Sequence, residues 1–171
     1  MSLFVKQPTR LFLACVVLTS CIGCDQATKH VATRSLRGEP VRLYFADTLR
    51  LQYVQNPGGF LGLGGHLSPR ARYWMFTLVN ATFLAAVAVL LVTQWSMHWP
   101  KFLMLLFLLA GGIGNLIDRV AQDGVVTDFL NLGVGPVRTG VFNVADVAVT
   151  GSAMVLFFLL RKEHAMKSEA T

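Results

Sequence analysis

Gly111-Gly112-Ile113-Gly114-Asn115-Leu116-Ile117-Asp118-Arg119 closes an apolar run that opens at Phe102. A short polar link carrying Asp128 follows, and a second apolar run, Val141 to Leu160, contains Phe142-Asn143-Val144-Ala145-Asp146. On insertion scales a charged side chain costs about 2.5–3.5 kcal/mol at the centre of a membrane helix, so carboxylates set into such runs need a reason. Chemistry is the first reason to consider.

The runs are membrane spans rather than a soluble core. The 171 residues are 54% hydrophobic and 14% charged, with a mean hydropathy of +0.55, whereas a soluble domain carries about 25% charge. No linker or internal repeat divides the chain, so residues 1–171 read as a single unit. The net charge of +6 is spread over termini and loops with no aromatic-interleaved basic patch, which argues against nucleic acid and for anionic lipid headgroups. Cys15, Cys21 and Cys24 all fall in the first apolar run. A disulfide framework is not expected there, and the Cys21/Cys24 pair lacks the second pair a zinc site needs, so no metal is expected.

Lys6 and Arg10 precede the first run, and Leu18-Thr19-Ser20-Cys21 looks like a lipobox. A cleaved leader and a retained helix are both open. Three more hydrophobic segments and the pair Asp25/Lys29 just past the run favour the retained helix; that pair shares a helix face at i,i+4. The longest polar region, residues 30–70, contains Val41-Arg42-Leu43-Tyr44-Phe45 and Leu49-Arg50-Leu51-Gln52-Tyr53, which alternate as half-buried strands do. Asn56-Pro57-Gly58-Gly59-Phe60 and Gly62-Leu63-Gly64-Gly65 follow as a turn of little bulk. Without the Lys of a phosphate loop this is no nucleotide site. Tyr73 to Val92 crosses next, flanked by Tyr73, Trp74, Trp95 and Trp99 as interfacial anchors, with Asn80 expected in an interhelical hydrogen bond and His98 at the interface.

The spans are expected at about 10–28, 71–93, 101–118 and 141–160, with an outer β region at about 40–62. Lys6, Arg10, Arg161, Lys162 and Lys167 argue for cytoplasmic termini. Arg34, Arg37, Arg42, Arg50, Arg70, Arg72, Arg119 and Arg138 would then all lie outside, so total Lys plus Arg favours the opposite orientation, and the termini are kept inside mainly on the family resemblance given below. One consequence is independent of orientation. An up-down-up-down bundle gathers Asp25, Lys29, Asn56, Asp118, Arg119, Asp128, Asn143 and Asp146 at one membrane face.

Asp146 should lie about five residues, roughly 7–8 Å, into the fourth span. Asp128, on a link folding back over the bundle end, can be brought opposite it. Two carboxylates sharing a site cannot both ionise easily, and one proton held between them gives an acid and a base together. In the competing reading Asp128 and Asp146 are helix-end charges and Asp118 pairs with Arg119 or Lys29. Asp146 has no basic neighbour in sequence, so the functional reading leads there, whereas Asp118 reads as structural. A proton or ion path would need carboxylates distributed through the membrane, and these sit at one end.

Taken together, Asp25-Gln26-Ala27-Thr28-Lys29, Asn56-Pro57-Gly58, the stretch Gly111 to Arg119, Val125-Val126-Thr127-Asp128-Phe129 and Phe142-Asn143-Val144-Ala145-Asp146 resemble the bacterial lipoprotein signal peptidases, or type II signal peptidases. The resemblance implies an all-α membrane protein of four transmembrane helices with a small extramembrane β-cradle and a short periplasmic helix. It implies a monomeric aspartic endopeptidase at the periplasmic face of the bacterial inner membrane, without a cofactor, that cuts diacylglyceryl prolipoproteins before the lipidated cysteine and is open to globomycin-type cyclic peptides. The dyad is then Asp128 and Asp146. Asn56, Gly58, Asn115, Arg119, Asn143 and Ala145 support it or bind substrate, and Asp25, Lys29 and Asp118 are structural. Two features depart from the family pattern. Thr127 precedes Asp128 where the family usually reads Val-Val-Asp-Phe, an extra residue that a bulge can absorb, and the stretch Asn56 to Phe60 is one residue short. An inactive relative that still binds lipidated peptides stays open.

Overall fold

The computed structural model describes residues 6–58 and 67–169. Four helices, α1 (Lys6–Leu36), α2 (Pro69–Thr93), α3 (Trp99–Ala121) and α4 (Val144–Glu169), are each long and apolar enough to cross a membrane. Between them lie the strands β1 (Arg42–Tyr44), β2 (Leu49–Asn56), β3 (Val126–Val134) and β4 (Val137–Arg138), joined in that order into one antiparallel sheet. Among the described residues the spans are the only helices, so the short periplasmic helix has no counterpart there. The glycine-rich stretch 59–65 also lies outside them.

The central helix is α3, which packs against α1, α2 and α4. Its Phe102, Leu106 and Leu109 meet Ala14 of α1 and Leu84, Val87 and Leu91 of α2. Close approach depends on the glycines at its site end. A methyl group on Gly111 would lie 2.5 Å from the Ala145 carbonyl oxygen, and one on Gly114 would lie 2.5 Å from Asp25 Oδ2. Asn80 Nδ2 donates to the Gly112 carbonyl at 3.4 Å, the interhelical bond expected of it. At the opposite end, buried Arg10 of α1 donates to the carbonyls of Trp95 and Met97 in the α2–α3 turn and stacks 4.7 Å from the Trp99 ring.

Helices α1 and α4 run furthest from the expected bounds, and the end of α1 and the start of α4 each have a local reason. Helix α1 continues past residue 28 to Leu36 because Ala32 and Leu36, spaced i,i+4, bury against Phe129 of the sheet. Gly38, at φ 81°, then carries the left-handed turn that ends it. Helix α4 starts at Val144 rather than 141 because Asn143 caps it: Asn143 Oδ1 accepts from Asp146 N at 2.9 Å, and Asp146 Oδ2 accepts from Asn143 N at 3.1 Å. This reciprocal pair is a capping box. Asp146 is therefore the third residue of the helix, shallower than five residues in.

Half of the polar link expected over 119–140 is sheet. Val126, Thr127, Asp128 and Phe129 of β3 are all buried, because one face of the strand meets α1 and the other meets the bundle end. Strand β3 pairs with β2 as Val126↔Asn56, Thr127↔Gln55 and Asp128↔Val54 without a break. The irregularity lies instead between Leu51 and Val54 of β2, so no bulge forms at Thr127.

Candidate active site

Three elements bring their polar residues to one point: β3 supplies Asp128, the start of α4 supplies Asn143 and Asp146, and the last turns of α3 supply Asn115 and Asp118. Asn143, with 0% exposure, joins the two carboxylates. Its Nδ2 donates to Asp128 Oδ1 at 2.7 Å, while its backbone N and Oδ1 hold Asp146 through the capping box. Asp146 Oδ1 also accepts from Asn115 Nδ2 at 2.8 Å. Asp128 Oδ2 accepts from Asn56 Nδ2 at 3.0 Å, and Asn56 Oδ1 in turn accepts from Gly58 N at 3.2 Å. Every bond that reaches Asp128 comes from a neutral amide.

Behind this pair sits an ion triad. Lys29 Nζ lies 2.9 Å from Asp25 Oδ2, 3.0 Å from Asp118 Oδ2 and 2.9 Å from Asn115 Oδ1. Its three N–H donors are thereby used. The pairing decides Asp118 for Lys29 and not for Arg119. Asp25 Oδ1 accepts from Ala145 N at 2.9 Å, and Asp118 Oδ2 accepts from Thr127 N at 3.0 Å. Each triad carboxylate thus grips the amide of the residue before one of the two outer carboxylates. Gln26, which sequence reasoning leaves without a role, shares its side-chain N–H groups among Asp25, Asp118 and the Gly114 carbonyl at 3.1–3.2 Å. Its position one residue from Asp25 and three from Lys29 on α1 was the available signal. Thr127, in sequence an intrusion before Asp128, also exchanges hydrogen bonds with Gln122 through its hydroxyl at 3.3 Å.

Charge sets the chemistry. Asp25, Asp118, Asp128 and Asp146 lie around the fully engaged Lys29 ammonium, with the Arg119 guanidinium as the other nearby cation, so holding all four ionised would still leave uncompensated negative charge away from bulk water. Asp128 absorbs the imbalance. Burial pushes its carboxyl from 3.8 up to about 6; the Asn56 hydrogen bond opposes this, Asp146 adds to it, and Asn143 and Lys29 oppose it further. Half-buried Arg119 is near enough to interact with the charges of Asp146 and Asp128, but it bonds to neither. Its guanidinium lies 5.9 Å from the Phe76 ring, and its Nε and Nη1 have no hydrogen-bond partner among the described residues. Ala145 is fully buried and contributes through its backbone N–H to Asp25.

A pair of carboxylates linked through one buried asparagine at the end of a helix bundle fits a hydrolase, and comparison with known proteins decides which kind. The signal peptidase (SPase) II family model matches residues 17–161. The chain belongs to that family. It is therefore a protease that spans the membrane several times. It is 38% identical over 146 residues to the lipoprotein signal peptidase of Desulforapulum autotrophicum, covering 84% of this chain and 87% of that one. The lipoprotein signal peptidase of Hydrogenovibrio crunogenus is 32% identical over 170 residues, with 95% and 92% covered. A solved bacterial membrane enzyme at 2.3 Å resolution shares the fold with a TM-score of 0.74 at 22% identity, covering 91% of each chain. A second, at 1.9 Å, gives 0.73 at 22% identity over 86% of this chain and 92% of that one.

Proposed function

We propose that this SPase II member is an aspartic endopeptidase that removes the signal peptide from diacylglyceryl-modified prolipoproteins, with Asp128 and Asp146 as its dyad. The observation that carries the reading is Asn143, which hydrogen-bonds both carboxylates. Beside Asp146, burial raises the pKa of Asp128 in spite of that bond.

In the reaction Asp146 takes a proton from a water as its oxygen attacks the scissile carbonyl carbon, and protonated Asp128 donates to the carbonyl oxygen. The resulting gem-diol collapses as Asp128 recovers its proton from one hydroxyl and the proton held by Asp146 passes to the leaving nitrogen. The C–N bond breaks, and no covalent enzyme intermediate forms. Arg119, with two buried donor atoms unpaired among the described residues, offers them to a substrate backbone carbonyl. Asn56 and Asn115 keep the two carboxylates oriented through the cycle. The reading places the site at the periplasmic face of the bacterial cytoplasmic membrane in a monomeric enzyme, and globomycin-type peptides would compete for the same cleft.

The test is cleavage of a diacylglyceryl-modified prolipoprotein by purified protein in detergent. Wild type should cleave before the lipidated cysteine, and Asp128→Asn and Asp146→Asn should each abolish turnover. Loss only in Asp146→Asn would move the second carboxylate to Asp118 or Asp123. Failure of the folded wild type to cleave, with inhibitor peptide still bound, would replace the peptidase with a binding-only relative.

A further inference from the structure

We propose that the crevice between the site end of α1 and the sheet binds one anionic glycerophospholipid, with an acyl chain in the crevice and the phosphate between Arg34 and Arg42. The crevice has a volume of about 410 Å³ and is walled by Ala27, Val31 and Ala32 of α1, by Leu51 of β2 and by Phe129 of β3, with Arg42 at its edge. Successive side chains on a strand point to opposite faces, so Phe129 turns away from the face that carries Asp128. The crevice is thus separate from the dyad.

Its depth says what fills it. Arg10 in the second turn of α1 and Lys29, seven residues before its end, are nineteen residues apart, about 28 Å along a helix, which is close to the hydrocarbon thickness. Residues 30–36 therefore stand among the headgroups. An apolar space of this size is poorly suited to water, which needs polar partners. Val31, 60% exposed, lines it and opens it toward the hydrocarbon. On the strand that carries Arg42, Leu43 and Tyr44 are also exposed, and Phe45 at the following turn is 79% exposed, which suits a hairpin lying against lipid.

The charge at the edge selects the headgroup. Arg42 donates one N–H to the Ser35 carbonyl at 2.9 Å, and the rest of its fork remains for a phosphate. Arg34 lies three residues beyond Val31 and seven beyond Ala27, on the same side of α1, and is exposed. Among the described residues no carboxylate lines the crevice. This also accounts for part of the arginine excess at the site face that the positive-inside rule leaves unexplained. Arg50 and Arg138 there are taken up by Asp47 at 2.6 and 3.6 Å, whereas Arg34 and Arg42 face the lipid.

The experiment is native mass spectrometry of the full chain in detergent, titrated with phosphatidylglycerol or with phosphatidylcholine of the same acyl chains. One phosphatidylglycerol should bind, about tenfold or more tighter than phosphatidylcholine. Arg34→Ala with Arg42→Ala should remove that preference, and Val31→Trp, which fills the crevice from an exposed position, should weaken both lipids. Equal affinity for the two lipids, or binding unchanged by all three substitutions, overturns the site. So does a Val31→Trp variant that binds phosphatidylglycerol normally but has a raised KM for lipidated peptide, because the crevice would then belong to the substrate's diacylglyceryl group.

Discussion

Asp118 accepts the backbone N–H of Thr127, the residue before Asp128, at 3.0 Å. Asp25 does the same for Ala145, the residue before Asp146, at 2.9 Å. Lys29 ties the two grips together. The spacing of the proposed dyad is therefore set by a buried ion triad that touches neither of its carboxylates directly. It acts through two backbone amides and through Asn115, whose Oδ1 faces Lys29 so that its Nδ2 faces Asp146.

Removing the cation should cost more than removing a surface charge. Lys29→Met leaves Asp25 and Asp118, exposed 1% and 3%, facing each other without compensation. A broken buried pair costs about 3–5 kcal/mol, so the variant should unfold well below wild type in a thermal ramp in detergent. A midpoint within a degree or two of wild type would mean that water reaches the triad.

Asn143→Ala deletes two functions of one side chain, a cap and a bridge to Asp128. Losing the cap costs about 1 kcal/mol of stability. Losing a hydrogen bond to a charged or proton-sharing group costs about 1.5–3 kcal/mol, which in the transition state is a one- to two-order fall in kcat. KM should change little, since Asn143 is wholly buried and offers substrate no surface. A rise in KM at constant kcat would instead make Asn143 a binding residue.

The raised pKa of Asp128 gives a sign as well as a size. A carboxyl at about 6 in the folded chain against 3.8 ordinarily takes up a proton on folding between those values. Its contribution to stability is therefore greatest at low pH and is lost as pH rises through the window. The loss is on the order of 3 kcal/mol and is complete above about pH 6. Relative to Asp128→Asn, which cannot titrate and whose offset is the same at every pH, wild type should lose stability between pH 4 and pH 7. The same proton serves catalysis in the proposed mechanism, so log kcat/KM should fall on the alkaline side of an apparent pKa at or above about 6, a value belonging to the pair. A stability difference flat across this range would show Asp128 already ionised.

How much of this the sequence carried depended on the range of each interaction. Asp25 and Lys29 meet within one helix turn, so spacing alone predicts their contact. The capping box is equally local: Asn143 and Asp146 stand three apart before an apolar run, a signature from which the start of α4 at Val144 could have been read. Strand β3 was harder. Its burial comes on one face from Ala32 and Leu36 of α1, more than ninety positions earlier in the chain, and nothing in 126–134 reports that partner. Asp118 had two plausible cations in sequence, adjacent Arg119 and distant Lys29. Adjacent residues on a helix do not face each other, and geometry gave it the distant one. The irregular pairing at Leu51 to Val54 of β2 could not be inferred from Thr127, because register is a property of both strands.

Arg10, at the far end of the bundle, supplies a contrast to the triad. It is 5% exposed and donates to two carbonyls in the turn that joins α2 and α3, with the aromatic faces of Trp99 and Phe102 at 4.7 and 5.1 Å. Arg10→Leu should leave both carbonyls without their donor and lower unfolding stability by about 2–3 kcal/mol. Arg10→Lys, which keeps a charge but loses the planar fork, should fall between. The proposed dyad lies about 28 Å away along α1, as far as Lys29. At temperatures where both variants are folded, kcat and KM for lipidated peptide should therefore match wild type. The Lys29→Met variant, by contrast, should lose turnover even where it remains folded. If Arg10→Leu lowered kcat without unfolding, the two ends of the bundle would have to be coupled through α3, whose Phe102 stacks on Arg10 and whose Asn115 holds Asp146.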